Sequence, residues 1–218
     1  LALHISRGRK AGVVDLTRGE LGTRGTPELR EEEAARSAEI LGLEVRENLG
    51  LADGFFDISK ENILKLARSV RKYRPDIVLA NAIHDRHPDH GRAARLTEEA
   101  CFYAGLRKID IKDEHGNALE AWRPGALYHY IQSEYIDPDF IVNVSEEHWE
   151  IKKRSIMAFS SQFHDPGSKE PETYIPKPGF IDFLDSRGRM WGQAIGAEYG
   201  EGFTVNRKIG VKDLFDLL

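Results

Sequence analysis

One cysteine, Cys101, stands in 218 residues, so no internal disulfide can staple the fold. With no secretory signal to be read, a reducing cytoplasm is the expected compartment. No run of about eighteen apolar residues occurs, which excludes a membrane-spanning helix. Positive charge is not in excess: 31 Lys and Arg face 36 Asp and Glu, a formal charge of −5, so no overall basic field recruits nucleic acid. Repeats and low-complexity tracts are missing as well. What is there is a globular balance, 40% hydrophobic and 31% charged, which argues against disorder, collagen-like repeats and coiled coil and suits one α/β domain.

The elements alternate. A helix ends near Gly8, and Gly12 to Thr17 has the β-branched run of a buried parallel strand. A glycine-rich loop, Arg18 to Thr26, closes on Thr26-Pro27, a good N-cap followed by a good first helical residue, so a helix over Pro27 to Leu41 is predicted. Its Glu31, Glu32 and Glu33 read as a solvated first turn. A strand over Val45 to Leu49, a helix over Ser59 to Tyr73, a strand over Asp76 to Ala82 and a helix after His90 complete the βαβ pattern. Later, Leu127 to Gln132 and Phe140 to Val144 read as strands, Glu146 to Phe159 and Phe180 to Ile195 as helices, and Gln162 to Pro178 as a mobile loop near the site.

In such a sheet ligands bind beyond the carboxyl ends of the strands. The loop after Leu79 holds His84, Asp85, His87, Asp89 and His90, three of the chain's eight histidines within seven residues. His87 and His90, three apart at a helix start, share a face. One imidazole can bind a metal while the other exchanges protons, with Asp89 orienting its neighbours. The plain alternative for this spacing is a helix cap that only hydrogen-bonds.

The string Asp85-Arg86-His87-Pro88-Asp89-His90-Gly91, taken with Asp15 to Thr26 (DLTRGELGTRGT), Arg46-Glu47-Asn48-Leu49, Asp53-Gly54-Phe55-Phe56, Ser161-Gln162-Phe163 and Glu198 to Phe203, closely resembles the LmbE-like (PIG-L) family of zinc-dependent N-acetylglucosamine deacetylases. Within it, the likeness is to the branch that deacetylates N-acetylglucosaminyl malate in bacillithiol biosynthesis. The resemblance implies a Rossmann-like α/β fold with a mostly parallel sheet between helices, a Zn2+ cofactor, a small N-acetyl amino-sugar substrate and association into homo-oligomers. It implies His90 as a zinc ligand, His87 as the acid that protonates the departing amine, and Asp89 as a supporting carboxylate. Arg30 matches a substrate-gripping arginine, and Glu20 and Asp53 match positions facing sugar hydroxyls. Without the family, Arg30 reads as a surface ion pair with a nearby Glu, and Glu20 and Asp53 as ordinary polar loop residues.

Two departures stand out. The family's first strand ends in a His-Pro-Asp-Asp element that supplies two more zinc ligands and the general base, and no such element occurs here, since His-Pro-Asp is found only at His87. A catalytic zinc normally has three protein ligands plus water, so the chain retains one of three. Because the sequence opens without Met on what reads as a helix already under way, a single domain over residues 1–218, N-terminally truncated, is expected, with the first strand and metal-binding loop supplied upstream. The second departure is Phe180, where relatives carry an oxyanion-stabilising tyrosine; Tyr174, Arg123 and His87 are the candidates for that role. The lone histidines read as structural, His129 in its aromatic strand being the strongest exception. Competing readings are a sugar-binding homologue that lost catalysis, and a metal-dependent phosphoesterase.

Overall fold

In a computed structural model the described residues are 1–162 and 179–217. The elements run α1 (Ala2–Ser6), β1 (Gly12–Thr17), α2 (Pro27–Leu41), β2 (Val45–Leu51), α3 (Lys60–Tyr73), β3 (Ile77–Ala80), α4 (Pro88–Ala104), β4 (Ala126–Tyr130), β5 (Phe140–Val144), α5 (Glu146–Met157), α6 (Phe180–Ala194) and β6 (Tyr199–Thr204), with 3-10 turns at Ser160–Gln162 and Leu214–Leu217. The cap that sets the start of α2 is the expected one: the Thr26 hydroxyl accepts from the Leu29 amide at 3.2 Å and Pro27 opens the helix. Strand β1 pairs in parallel with β2, and β3 in parallel with β4; β4 runs antiparallel to β6. The sheets are therefore a two-stranded β1-β2 and a mixed four-stranded β3-β4-β6-β5.

The chain divides into two compact units, Leu1–Lys65 with Ile141–Glu201, and Leu66–Phe140 with Gly202–Leu218. In the first, Trp149 of α5 is buried and stacks on Tyr199 of β6 with ring centres 4.8 Å apart, while its indole N–H donates to Asp185 at 2.6 Å. In the second, α4 turns Ala93, Ala94, Leu96, Ala100, Cys101 and Ala104 inward, a small-residue face that lets the helix pack closely. Arg71 of α3 is buried there, and its guanidinium donates to the carbonyls of Ala104, Leu106, Ile109 and Leu119 at 2.8–3.0 Å, ending the loop beyond α4 in satisfied acceptors. Among the described residues no helix is long and apolar enough to cross a membrane.

Two sequence expectations change, and a third lies outside the described residues. Strand β6, rich in glycine, was not expected as a strand; Gly200 is required because a Cβ there would stand 2.6 Å from Ile141 Cγ2 and 2.9 Å from the Gly192 nitrogen. Glu33 is not solvated but wholly buried in α2. The expected loop from Gln162 to Pro178, with Phe163, His164 and Tyr174, lies outside the described residues apart from Gln162 itself.

Candidate active site

Parallel pairing of β3 with β4 puts the carboxyl ends of both strands together, so the 81–87 loop meets residues 131–134. Two residues of those segments do the joining. Gln132 accepts through Oε1 from the Ala82 amide at 3.3 Å and the Asn81 side chain at 3.2 Å. Asp85, its side chain fully buried, accepts through Oδ1 from the amides of Arg86 (2.8 Å), Glu134 (3.0 Å) and Ser133 (3.2 Å), and through Oδ2 it bonds His90 Nδ1. Burial works to raise the Asp85 pKa, but the bonds from His90 and the backbone amides outweigh it, and the carboxyl is held below its ordinary value.

His87 is the N-cap of α4. Its Nδ1 accepts from the Asp89 amide at 3.2 Å, and its ring centre lies 5.2 Å from that of His90. A nitrogen that accepts carries no proton, so the neutral His87 ring holds its hydrogen on Nε2. For His90 the assignment is reversed: with Nδ1 given to Asp85, Nε2 keeps the lone pair, and the Gln132 amide approaches it at 3.5 Å. The two imidazoles are thus set as complementary groups, one presenting N–H and the other a lone pair. Asp89 Oδ1 accepts from Arg92 at 2.5 Å, and the carboxylate bonded to His90 is Asp85; the sequence had offered Asp89 as the orienting group for one of the two imidazoles. Gln132, and the part of Asp85 as partner of His90, were missed because they depend on the β3-β4 register, which no motif encodes.

The remaining expected residues fall elsewhere. Arg123 donates to the Phe102 carbonyl at 3.2 Å and lies over the Phe102 ring at 4.9 Å. It therefore sits at the opposite end of α4 from the histidines, about 22 Å away along the helix axis at 1.5 Å per residue. His129 of β4 is fully buried; its Nδ1 bonds the Asn81 carbonyl at 2.8 Å and its Nε2 is 3.1 Å from Glu98 Oε1, so its place is structural. Phe180 opens α6 and brings no hydroxyl.

In the first unit, Glu20 and Asp53 come together at the carboxyl ends of β1 and β2. Glu20 Oε1 accepts from the Asp53 amide at 3.0 Å, and Asp53 in turn accepts from the Leu21 amide at 3.0 Å and from the Thr17 hydroxyl at 3.2 Å. The Asp53 amide bond is the main reason the Glu20 pKa is lowered. Arg30 of α2 is largely buried, donates to the Arg24 carbonyl at 2.9 Å and stands 4.0 Å from Glu33. Burial lowers its pKa, with the charges of Glu33 and Asp53 working against that.

Residues 1–101 match the profile of the PIG-L family, described as GlcNAc-PI de-N-acetylase. The solved structure of a conserved protein from Thermus thermophilus is 35% identical, superposes with a TM-score of 0.85 and is matched over 98% of this chain and 89% of that one. Diacetylchitobiose deacetylase of Thermococcus kodakarensis is 29% identical over 88% of this chain and 67% of its own length. 4-Oxalmesaconate hydratase of Pseudomonas putida is 27% identical over 75% of this chain and 67% of its own. The chain belongs to the PIG-L family of GlcNAc-PI de-N-acetylases, enzymes that act on N-acetyl amide bonds.

Proposed function

We propose that this protein hydrolyses the acetamide of an N-acetylglucosaminyl conjugate, releasing acetate and the free amine, with N-acetylglucosaminyl-L-malate as the substrate, a step of bacillithiol biosynthesis. The observation that carries the reading is the complementary His87 and His90 pair at the start of α4. The metal in this proposal is zinc, which supplies an activated water and polarises the acetamide carbonyl when bound. Of the described residues, His90 suits it: Asp85 fixes the tautomer and leaves Nε2 as donor. No three His, Cys, Asp or Glu stand together as a metal-holding group among the described residues, so they fit one position of such a site and not the set.

The chain's own residues supply the rest of the proposed chemistry. His87 presents Nε2–H toward the reacting group, hydrogen-bonds developing negative charge and hands a proton to the departing nitrogen. Before it can act as a cationic acid its Nδ1 must also take a proton, which breaks the bond from the Asp89 amide. Arg30, Glu20 and Asp53 are proposed to bind sugar hydroxyls, a role supported for Glu20 and Asp53 by the hydrogen bond between them at the strand ends. Arg123, whose guanidinium donates to the Phe102 carbonyl at the far end of α4, is not included in this proposal.

A second reading, sugar binding without turnover, is favoured by the incomplete ligand set among the described residues. One assay separates the two. The protein is incubated with Zn2+ and either N-acetylglucosaminyl-L-malate or N,N'-diacetylchitobiose, and acetate is measured. Acetate from the malate conjugate supports the proposal in full; acetate from chitobiose alone keeps the reaction and replaces the aglycone. Saturable binding with no acetate selects the second reading.

A further inference from the structure

The carboxylate of Glu33 is wholly buried, yet it serves neither α2 nor its cap. Its Oε1 accepts from the Ser160 hydroxyl at 2.9 Å and the Ser161 amide at 2.7 Å, and its Oε2 accepts from the Ser161 hydroxyl at 2.8 Å. A buried carboxylate so saturated is fixed in place, since each lone pair turned elsewhere would leave a donor unmet. One turn earlier on the same helix stands Arg30, its Nε 4.0 Å from Glu33 Oε2.

Arg30 is held on several sides. One NH2 hydrogen is given to the Arg24 carbonyl at 2.9 Å. Gly22 and Gly25 press on the guanidinium so closely that a Cβ would lie 2.9 Å from NH2 at the first and 3.4 Å from Nε at the second, where it would also meet Ser161 at 3.0 Å. Gly25 has φ +77°, a conformation that other residues rarely take. Even so, Arg30 Nε is buried with no hydrogen-bond partner among the described residues. A guanidinium carries five N–H donors, and desolvating it without acceptors is unfavourable. Its charge is matched by Glu33, and a small part of its side chain, 16%, stays exposed.

We infer that Glu33 is a positioning residue: clamped by Ser160 and Ser161, it neutralises and aims the Arg30 guanidinium, holding its Nε inward so that the part of the side chain that stays exposed meets the substrate. This rests on the reading of Arg30 as a sugar-binding residue. A neutral Arg30–Glu33 pair suits a hydroxyl-bearing ligand, because an anion there would meet no net positive charge.

The test uses N,N'-diacetylchitobiose binding by calorimetry, thermal melting, and 15N NMR of the Arg30 Nε–H, whose burial gives slow solvent exchange in the wild type. E33Q keeps the side chain's shape and removes its charge; S161A removes one donor and keeps the charge. We expect E33Q to weaken binding about tenfold, the loss of one well-placed buried polar contact, and to speed Nε–H exchange, with S161A doing both to a smaller extent and E33D recovering part of the loss. R30A should weaken binding as much as E33Q does, and R30A/E33Q no more than R30A. If E33Q weakens binding by the same factor in the R30A background, or leaves the Nε–H exchange unchanged, the inference is overturned and the reading of Arg30 stands. If R30A binds like the wild type while E33Q still speeds exchange, the sugar-binding reading of Arg30 fails and the inference about the substrate falls with it. Should E33Q melt too low to assay, S161A decides on the same readouts.

Discussion

His90 Nδ1 is bonded to Asp85 Oδ2, and that carboxylate is simultaneously the acceptor for the backbone amides of Arg86, Ser133 and Glu134. The β3–α4 loop and the segment after β4 are thereby tied to one imidazole. Neutral histidine in water favours the Nε2–H tautomer, so an Nδ1–H form held by Asp85 is a distinct and measurable state. The 15N shifts of the His90 ring should report Nδ1–H in the wild type, and D85A should return them to the common tautomer. An unchanged spectrum in D85A would remove Asp85 from the account of the site.

The same carboxyl makes a prediction in pH. Because its pKa is depressed in the folded protein, the stability it contributes is present above the ordinary aspartate pKa of about 4 and is lost as pH falls through the depressed value. D85N should therefore be less stable than the wild type at neutral pH, by roughly 1–3 kcal/mol for the acceptors lost from a buried network. Chemical denaturation at a series of pH values should show that gap closing below about pH 4. A gap that widens in acid would contradict the sign.

His87 does two things that one substitution separates. As N-cap it stabilises α4, and a lost cap costs about 1 kcal/mol; as proton donor it would account for a rate factor of roughly 10²–10⁴. Asn is among the best N-caps but has no ring nitrogen to protonate. H87N should keep the melting temperature near that of the wild type and abolish most acetate release, while H87A should lose both. If H87N retains full activity, the cap is the whole role of His87.

Much of this was legible in the sequence, and the limits are instructive. The starts of α2 and β1 followed from a Thr-Pro cap and a β-branched run, local signals that survive packing. The histidine pair was legible because three-residue spacing is a property of the helix alone. Glu33 was misjudged because it was read as part of a solvated first turn, whereas it lies in the second turn of α2, and the distant Ser160 and Ser161 make its burial tolerable. Asp85 was seen as part of the loop but not as the partner of His90, since that choice depends on where β4 delivers residues 133 and 134. Strand β6 escaped notice because glycine has low strand propensity, and its use there reflects a tertiary contact.

Cys101 offers a simple check of the second unit's core. It is buried on the inward face of α4, and burial pushes its thiol up to about 12. Only the thiolate is nucleophilic, so at neutral pH the native protein should not react with an aromatic disulfide reagent on the timescale of minutes. Full reaction should appear with unfolding in denaturant. Rapid labelling of the native protein would mean that α4 does not pack as described.

Gly200 tests the contact that the sequence did not reveal. A methyl group at this position would lie 2.6 Å from Ile141 Cγ2 and 2.9 Å from both the Gly192 nitrogen and the Trp191 carbonyl carbon, and two of those three neighbours are backbone that cannot swing aside. Overpacking of this kind costs typically about 1–3 kcal/mol. G200A should therefore lower the melting temperature by several degrees, roughly 2–4 °C per kcal/mol for a chain of this length. G196A is the informative control: Gly196 has φ +70° but open space around it, so it measures backbone strain without the clash. Gly200, unlike Gly196, has no left-handed backbone to be strained, so a loss in G200A identifies close packing of β6 on α6 as the cause, whereas G200A as stable as the wild type would show that the neighbours give way.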